Sequence, residues 1–330
     1  MAVIDIFNIQ PTQLCKSLSG KFVFLYGSAK TGKTSTAVLW PKPLLLATEK
    51  GYNALVGVRA ADITSWADIK QICRQLKKPE AKEMYDSIIV DTISIAWALC
   101  EKYILAREGV QNITEIGYGR GWSMLKDEFE TTFRELTQLG YALIFIAHAK
   151  TRDGEFTDEE GNAIKTTMPD LPNACFQIIN RMVDLIGYLG IEYNPQTGES
   201  KRYIYTRGTP TIFAGSRFHY LAPRIELGYQ NLVDAISDAM EKEANAAGSV
   251  ISDSGNLAMP SKVNRPFEET MTEAKNLWMK ISDTMGEDGL EKAMKIINKV
   301  FGRDFQLSKA QPEQQDLVEV VIDELKDLVF

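Results

Sequence analysis

The sequence predicts an α/β protein with a mostly parallel sheet, helices on both faces and an antiparallel extension, followed by a small helical module. Three observations lead there. Short apolar runs at residues 22–26, 44–47, 88–90 and 143–147 alternate with amphipathic stretches at 66–76, 94–106 and 122–139. Apolar strands separated by helical segments imply a parallel sheet covered on both faces. After residue 183 the pattern changes to MVDLIGYLGIEY, RYIYTR and TIFAG, joined by turn-rich segments such as NPQTGESK, which reads as an antiparallel extension. Residues 241–265 are small, polar and without periodicity, and beyond them the spacing changes to that of helices.

The expected organisation is a core at 1–240, a linker at 241–265 and a module at 266–330. The module is expected to hold three helices, at 267–285, 289–301 and 312–329, the last carrying Leu317, Val320, Val321, Glu324 and Leu328 on one face. The chain is 45% hydrophobic and 25% charged, an ordinary globular balance. Its net charge is −7, and residues 266–330 hold 14 acidic against 8 basic side chains, a net −6. The core is thus nearly neutral, which neither supports nor excludes a local nucleic-acid surface. No apolar run approaches the ~20 residues that span a bilayer, and MAVIDIFNIQ lacks a signal pattern, so a cytosolic protein without membrane contact is expected. Cys15, Cys73, Cys100 and Cys175 form no CxxC pair and read as reduced, mostly buried thiols.

The decisive segment is KFVFLYGSAKTGKTSTAVLW. Gly27, Gly32, Lys33 and Thr34 match G-x-x-x-x-G-K-[ST], with an apolar strand before them and a helix-compatible stretch after, ended by Pro41. In such a loop, Gly27, Ser28, Ala29, Lys30, Thr31, Gly32, Lys33, Thr34 and Ser35 wrap a phosphate with backbone N–H groups at a helix start. Lys33 would reach the β and γ phosphates, and the Thr34 hydroxyl would ligate Mg²⁺. Asp91 ends the buried strand IIVD and fits the second metal-supporting position. The residue after it is Thr92, where many nucleotide-hydrolysing enzymes of this kind carry a glutamate. Glu49, just past the end of PLLLA, stands on the sheet edge where ligands bind and could accept a proton from water. By position alone it is equally well a solvated loop residue or a helix cap.

The order G-x4-GKT, a strand ending in Glu49, then IIVDT, then YALIFIAHAKT resembles the RecA-like ATPase core. It looks most like the short phage-encoded RecA-type ATPases of recombination and single-strand annealing, over roughly residues 15–225. The resemblance implies ATP and Mg²⁺ as ligands, Glu49 as general base and His148 as the γ-phosphate sensor, a position where RecA itself carries glutamine. A histidine at a strand end also serves as a structural hydrogen-bonder. The resemblance further implies a cytoplasmic phage protein acting in a bacterial host on single-stranded DNA, as a homo-oligomer, ring or filament. A basic residue would enter each site from a neighbour. Lys201, Arg202, Arg207 and Arg217 stand near strand ends, and Arg217 is most similar to the family's late basic position.

Two DNA loops are implied. Residues 107–122 offer Arg107, Tyr118, Arg120 and Trp122, a mix suited to backbone contact and base stacking. Residues 151–174 are a difficulty, with Asp153, Glu155, Asp158, Glu159, Glu160 and Asp170 against Arg152 and Lys165. Such a segment repels phosphate, and DEEGN reads as the tip of an exposed hairpin. DNA contact would be confined to its edges, Lys150, Arg152 and Lys165. The acidic module resembles C-terminal domains of phage recombination proteins and suits a protein partner, such as a single-strand-binding protein. Rival readings are a motor of the hexameric replicative-helicase class and a nucleotide-dependent loader or switch acting through residues 266–330. A small-molecule kinase is disfavoured, since nothing resembles a lid with clustered arginines.

Overall fold

The computed structural model describes residues 14, 15, 18, 20–248, 251, 252, 266–302 and 305–329. The chain divides into two compact units, one within Pro11–Leu257 and the other within Ala258–Phe330. The first unit runs in the order β1 (Leu14–Cys15), β2 (Phe22–Gly27), α1 (Lys33–Ala37), β3 (Pro43–Ala47), β4 (Arg59–Asp62), α2 (Trp66–Leu76), α3 (Pro79–Met84), β5 (Ser87–Asp91) and α4 (Ile93–Glu108). There follow α5 (Arg120–Gln138), β6 (Ala142–Thr157), β7 (Ala163–Pro169), α6 (Asn173–Met182), β8 (Leu185–Tyr193), β9 (Ser200–Tyr205), β10 (Gly215–Ser216), β11 (Arg224–Glu226), α7 (Tyr229–Ala247) and β12 (Ile251–Ser252). β1 and β12 pair with each other in parallel.

The main sheet has the order β11-β9-β8-β2-β6-β5-β3-β4, with β10 on β8 and β7 on β6. The strands from β8 to β4 along this order are mutually parallel, and β7, β9, β10 and β11 are antiparallel additions. This is the expected mostly parallel sheet with its antiparallel extension. Two strands, β6 and β5, separate β2 from β3, the next strand in the chain, so the crossover carries the chain over the phosphate-loop edge.

The apolar runs are buried on both faces because each strand sends alternate side chains to opposite cores. Phe24, Tyr26, Leu44, Leu46, Ile88, Val90 and Phe145 pack under α2, α4, α5 and α6. Val23, Leu25, Leu45, Ile89, Ile144 and Ile146 pack under α1 and α7. Aromatic rings knit the first core, with Phe129 centred 5.7 Å from Trp66 and 5.0 Å from Trp97, separations at which ring pairs attract.

One boundary needs correction here. The supposed linker begins inside α7, which continues to Ala247; most of 249–265 lies outside the described residues. α7 was legible after all, because Leu232, Ile236, Ala239 and Met240 recur at helical spacing and are the buried positions.

In the second unit, α8 (Phe267–Phe301) is a helix pair broken at Gly286, whose φ of 60° and ψ of −143° only glycine adopts readily. α9 (Gln315–Val329) packs on it. The face expected for α9 is displaced by about one residue: Val318, Val321, Ile322 and Leu325 are buried, whereas Leu317 and Val320 are exposed. Cys73, Cys100 and Cys175 are buried free thiols, as expected, and burial pushes the Cys73 thiol up to about 12; the Cys15 side chain lies outside the described residues. No described helix is long and apolar enough to cross a membrane.

Candidate nucleotide site

Strand register assembles the site. Gly27 pairs with His148 across β2 and β6, and Ala47 pairs with Asp91 across β3 and β5. Parallel strands therefore deliver the phosphate loop, Glu49, Asp91 and His148 to one sheet edge, although 121 positions separate Gly27 from His148 in the chain.

The loop has the backbone the motif requires. Lys30 has φ 64° and Gly32 φ 100°, left-handed values that curl the segment before α1. A Cβ on Gly27 would lie 2.6 Å from the Leu189 carbonyl oxygen, so no larger residue fits there without moving β8. Thr31 Oγ1 donates to the Ser28 carbonyl at 2.9 Å and pins the turn.

Lys33 is buried, and its Nζ donates to the carbonyls of Gly27 (2.9 Å) and Ser28 (2.7 Å). Burial lowers its pKa, opposed by the carboxylates of Asp91 and Glu49. Thr34 Oγ1 donates to Asp91 Oδ2 at 2.6 Å. Burial raises the Asp91 pKa, a cost that the Thr34 hydrogen bond offsets only in part and that the nearby Glu49 charge increases. Thr34 and Asp91 are hard oxygen donors already in contact. No described cluster of three or more His, Cys, Asp or Glu could hold a metal. A single hydroxyl and a single carboxylate fit Mg²⁺, which completes its shell with phosphate oxygens and water.

Glu49 and His148 meet at this edge, with His148 Nε2 3.7 Å from Glu49 Oε1 and both side chains roughly two-fifths exposed. Two threonines hold the carboxylate in place, Thr92 directly and Thr48 through Thr92. Thr92 is 1% exposed, and its Oγ1 donates to Glu49 Oε1 at 3.2 Å. Thr48 Oγ1 accepts from the Thr92 N–H at 2.8 Å, while the Thr48 N–H donates to the Asp91 carbonyl at 2.8 Å. The position after Asp91 thus carries a hydroxyl that orients a carboxylate at the end of the adjacent strand. Nothing in the local sequence signals that cross-strand contact.

Other expected residues are placed differently. Arg217 lies at the opposite sheet edge, where its Nη1 pairs with Asp184 Oδ1 at 3.0 Å and its Nη2 donates to the Arg181 carbonyl at 2.6 Å. Asp184 also accepts from the N–H of Phe22, the first residue of β2. Within its own chain, Arg217 therefore braces the strand starts, held by an aspartate 33 positions away. Arg107 is paired with Glu108 at 3.1 Å and with Glu128 at 3.9 Å. Tyr118, Arg120 and Trp122 are exposed. Residues 151–169 form the expected hairpin: β6 continues through Thr157 and β7 returns, closed by a turn in which Asp158 accepts from the N–H groups of Glu160 and Asn162.

The comparisons with known proteins agree with this construction. The chain matches the AAA_24 family, described as an AAA domain, over residues 19–218. It is 31% identical over 334 residues to the SPbeta prophage-derived protein YorG of Bacillus subtilis (strain 168), an alignment that covers 99% of each chain. Among solved structures, it is similar to the flagellar accessory protein FlaH from Methanocaldococcus jannaschii, with TM-score 0.36 and 14% identity over 64% of this chain and 85% of that one. A second is the KaiC-like protein PH0186 from Pyrococcus horikoshii OT3, with TM-score 0.31 and 13% identity over 56% and 77%. These two likenesses are distant, and no role is drawn from them. The family match covers more than half of the chain and encloses the phosphate loop, Glu49, Asp91 and His148, and the protein accordingly belongs to the AAA_24 family of P-loop ATPases.

Proposed function

We propose that this ATPase hydrolyses ATP with Mg²⁺ and couples turnover to single-stranded DNA in recombination or strand annealing, acting as an oligomer. The observation that carries the hydrolytic part is the meeting of Lys33, the Thr34–Asp91 pair, Glu49 and His148 at one sheet edge. Lys33 neutralises charge on the β and γ phosphates. Mg²⁺, held through Thr34 and Asp91, supplies further neutralisation when bound. Glu49, oriented by Thr92, takes the proton of the attacking water. His148 reads the occupancy of the γ position through its contact with Glu49.

The β6–β7 hairpin supports the coupling to DNA. β6 runs without a break from the buried sheet, through His148, into the arm, so a load on the arm reaches the γ-phosphate position through one strand. Alternation along β6 puts Lys150 and Arg152 on one face and Thr151 and Asp153 on the other, with Asp153 opposite Lys165. Part of the acidic character that argued against phosphate contact lies on the Asp153 face and at the tip, Asp158–Glu160, while Asp170 is paired with Lys150 at 2.8 Å. The acidic tip also favours a second reading, a nucleotide-dependent loader that recruits partners through the C-terminal unit.

Steady-state ATP hydrolysis with Mg²⁺, measured with and without single-stranded DNA, separates the two, with Lys33→Ala as the blank. Stimulation by DNA is the expected result. Turnover indifferent to DNA would leave the ATPase in place and transfer the case to the loader.

A further inference from the structure

The groups that face the phosphate loop come from both sides of β2. Glu49, Asp91 and His148 approach from β3, β5 and β6. On the other side stand β8 and β9, whose cationic residues the sequence offered only as candidates to reach a neighbouring subunit. One of them already lies over the loop of its own chain. Gly32, the left-handed residue before Lys33, has an open face where a Cβ would sit. Leu227 Cδ2 is 3.1 Å from that point and the Arg202 Nη1 is 3.7 Å from it.

The placement is built into the backbone. Gly27 pairs with Leu189 on β8, and two residues further along β8 Ile191 pairs with Arg202 on β9, so Arg202 stands at the same sheet edge as the loop. The N–H of Leu227 donates to the Arg202 carbonyl at 2.8 Å, which ties the strand to the residue that caps Gly32. Arg202 is exposed, and among the described residues no carboxylate pairs with it. Two other arginines of the antiparallel extension differ: Arg224 is held by Glu192 at 2.6 Å and Arg217, at the far edge, by Asp184. A guanidinium left unpaired beside a phosphate-binding loop has its five donors free for an anion, and bidentate Arg–phosphate contacts are among the stronger polar interactions.

We propose that Arg202 binds the nucleotide in cis, donating to non-bridging phosphate oxygens from the side of the loop opposite Glu49. The inference rests on the ATPase reading above. Because it approaches away from Glu49 and His148, the contact involves phosphates that ATP and ADP share and makes little difference to the chemical step. A γ-phosphate sensor would discriminate between the two nucleotides, and a residue serving a neighbour's site would act in trans.

The test is titration of Arg202→Ala, Arg202→Lys and wild type with fluorescent ATP and ADP analogues in Mg²⁺, together with kcat and KM for ATP. Arg202→Ala is expected to weaken both nucleotides by roughly ten- to hundredfold, the range of a lost charge-assisted hydrogen bond. KM should rise with kcat kept within about twofold, Arg202→Lys should recover part of the loss, and the melting point without nucleotide should match wild type. Unchanged affinity for both nucleotides, a loss confined to ATP, or recovery of Arg202→Ala turnover by mixing with Lys33→Ala protein would each overturn the assignment. Lys33→Ala assayed alone separates the two levels: persistent turnover there would remove the phosphate-loop reading itself, and this one with it.

Discussion

Lys33, Asp91, Glu49 and His148 meet at one sheet edge, and burial disfavours the charged forms of the first two. Glu49 is exposed and oriented by Thr92, so under the proposed mechanism replacing it removes proton transfer and little else. Glu49→Gln is expected to bind nucleotide like wild type and to lower kcat at least ~100-fold, the lower end for lost acid–base catalysis, as read by single-turnover hydrolysis beside equilibrium binding. Asp91 carries the opposite lesson. Its folded pKa is raised by burial, so the folded state holds a proton more tightly than the unfolded chain. By linkage, the ionised carboxylate subtracts from stability above the raised pKa, and that penalty is relieved as pH falls through it. Asp91→Asn should therefore raise the melting point of the nucleotide-free protein at neutral pH, by about 2–4 °C for each kcal/mol relieved. The advantage should shrink toward pH 4 as wild-type Asp91 protonates. Mg²⁺-dependent turnover should be lost in the same variant. A melting point lower than wild type at pH 7 would show that the Thr34 hydrogen bond outweighs the burial cost.

Elements whose pattern is carried by a full apolar run were legible in the sequence, and those whose burial depends on a partner were not. β2, β3, β5 and the first half of β6 are buried on both faces, so composition alone marks them. The 11-residue α2 matches its expected span, with Ser65 and Asp68 forming a capping box at its start. β4 reads as nothing in particular because RAAD is a partly exposed edge strand. α9 is amphipathic with apolar residues on more than one side, and α8 chooses which of them to cover. Leu325→Ala is expected to cost about 2–5 kcal/mol in chemical denaturation of the C-terminal unit, as for a fully buried leucine. Leu317→Ala should stay within about 1 kcal/mol. Similar losses at both positions would restore the face suggested by sequence spacing.

At the scale of the molecule, the two units have separate apolar cores. That of the C-terminal unit is assembled from α8, α9 and their connection, Ala274 and Leu277 to Leu325 among them. A chain ending at residue 265 keeps the whole of Pro11–Leu257 and sheds a net −6 of charge. It should unfold cooperatively and hydrolyse ATP within about threefold of the full-length rate, checked by calorimetry and steady-state turnover. It should also bind single-stranded DNA more tightly at low salt than the full chain, since the acidic segment no longer repels phosphate. Loss of cooperative unfolding would show that the helical unit is required for the core to fold.

The sequence by itself determined the sheet class and the phosphate loop, because each is written in contiguous residues, an apolar run and a spaced glycine motif, whereas Glu49 at a strand end stayed open by position alone. Tertiary structure alone decided what those residues meet. Thr92 holds Glu49 across adjacent strands, Asp184 occupies Arg217 at the far edge, and Arg202 arrives over Gly32 from a strand 170 positions later. Such contacts follow from strand order and register, and these arise when distant apolar runs bury one another rather than from any local preference of the chain.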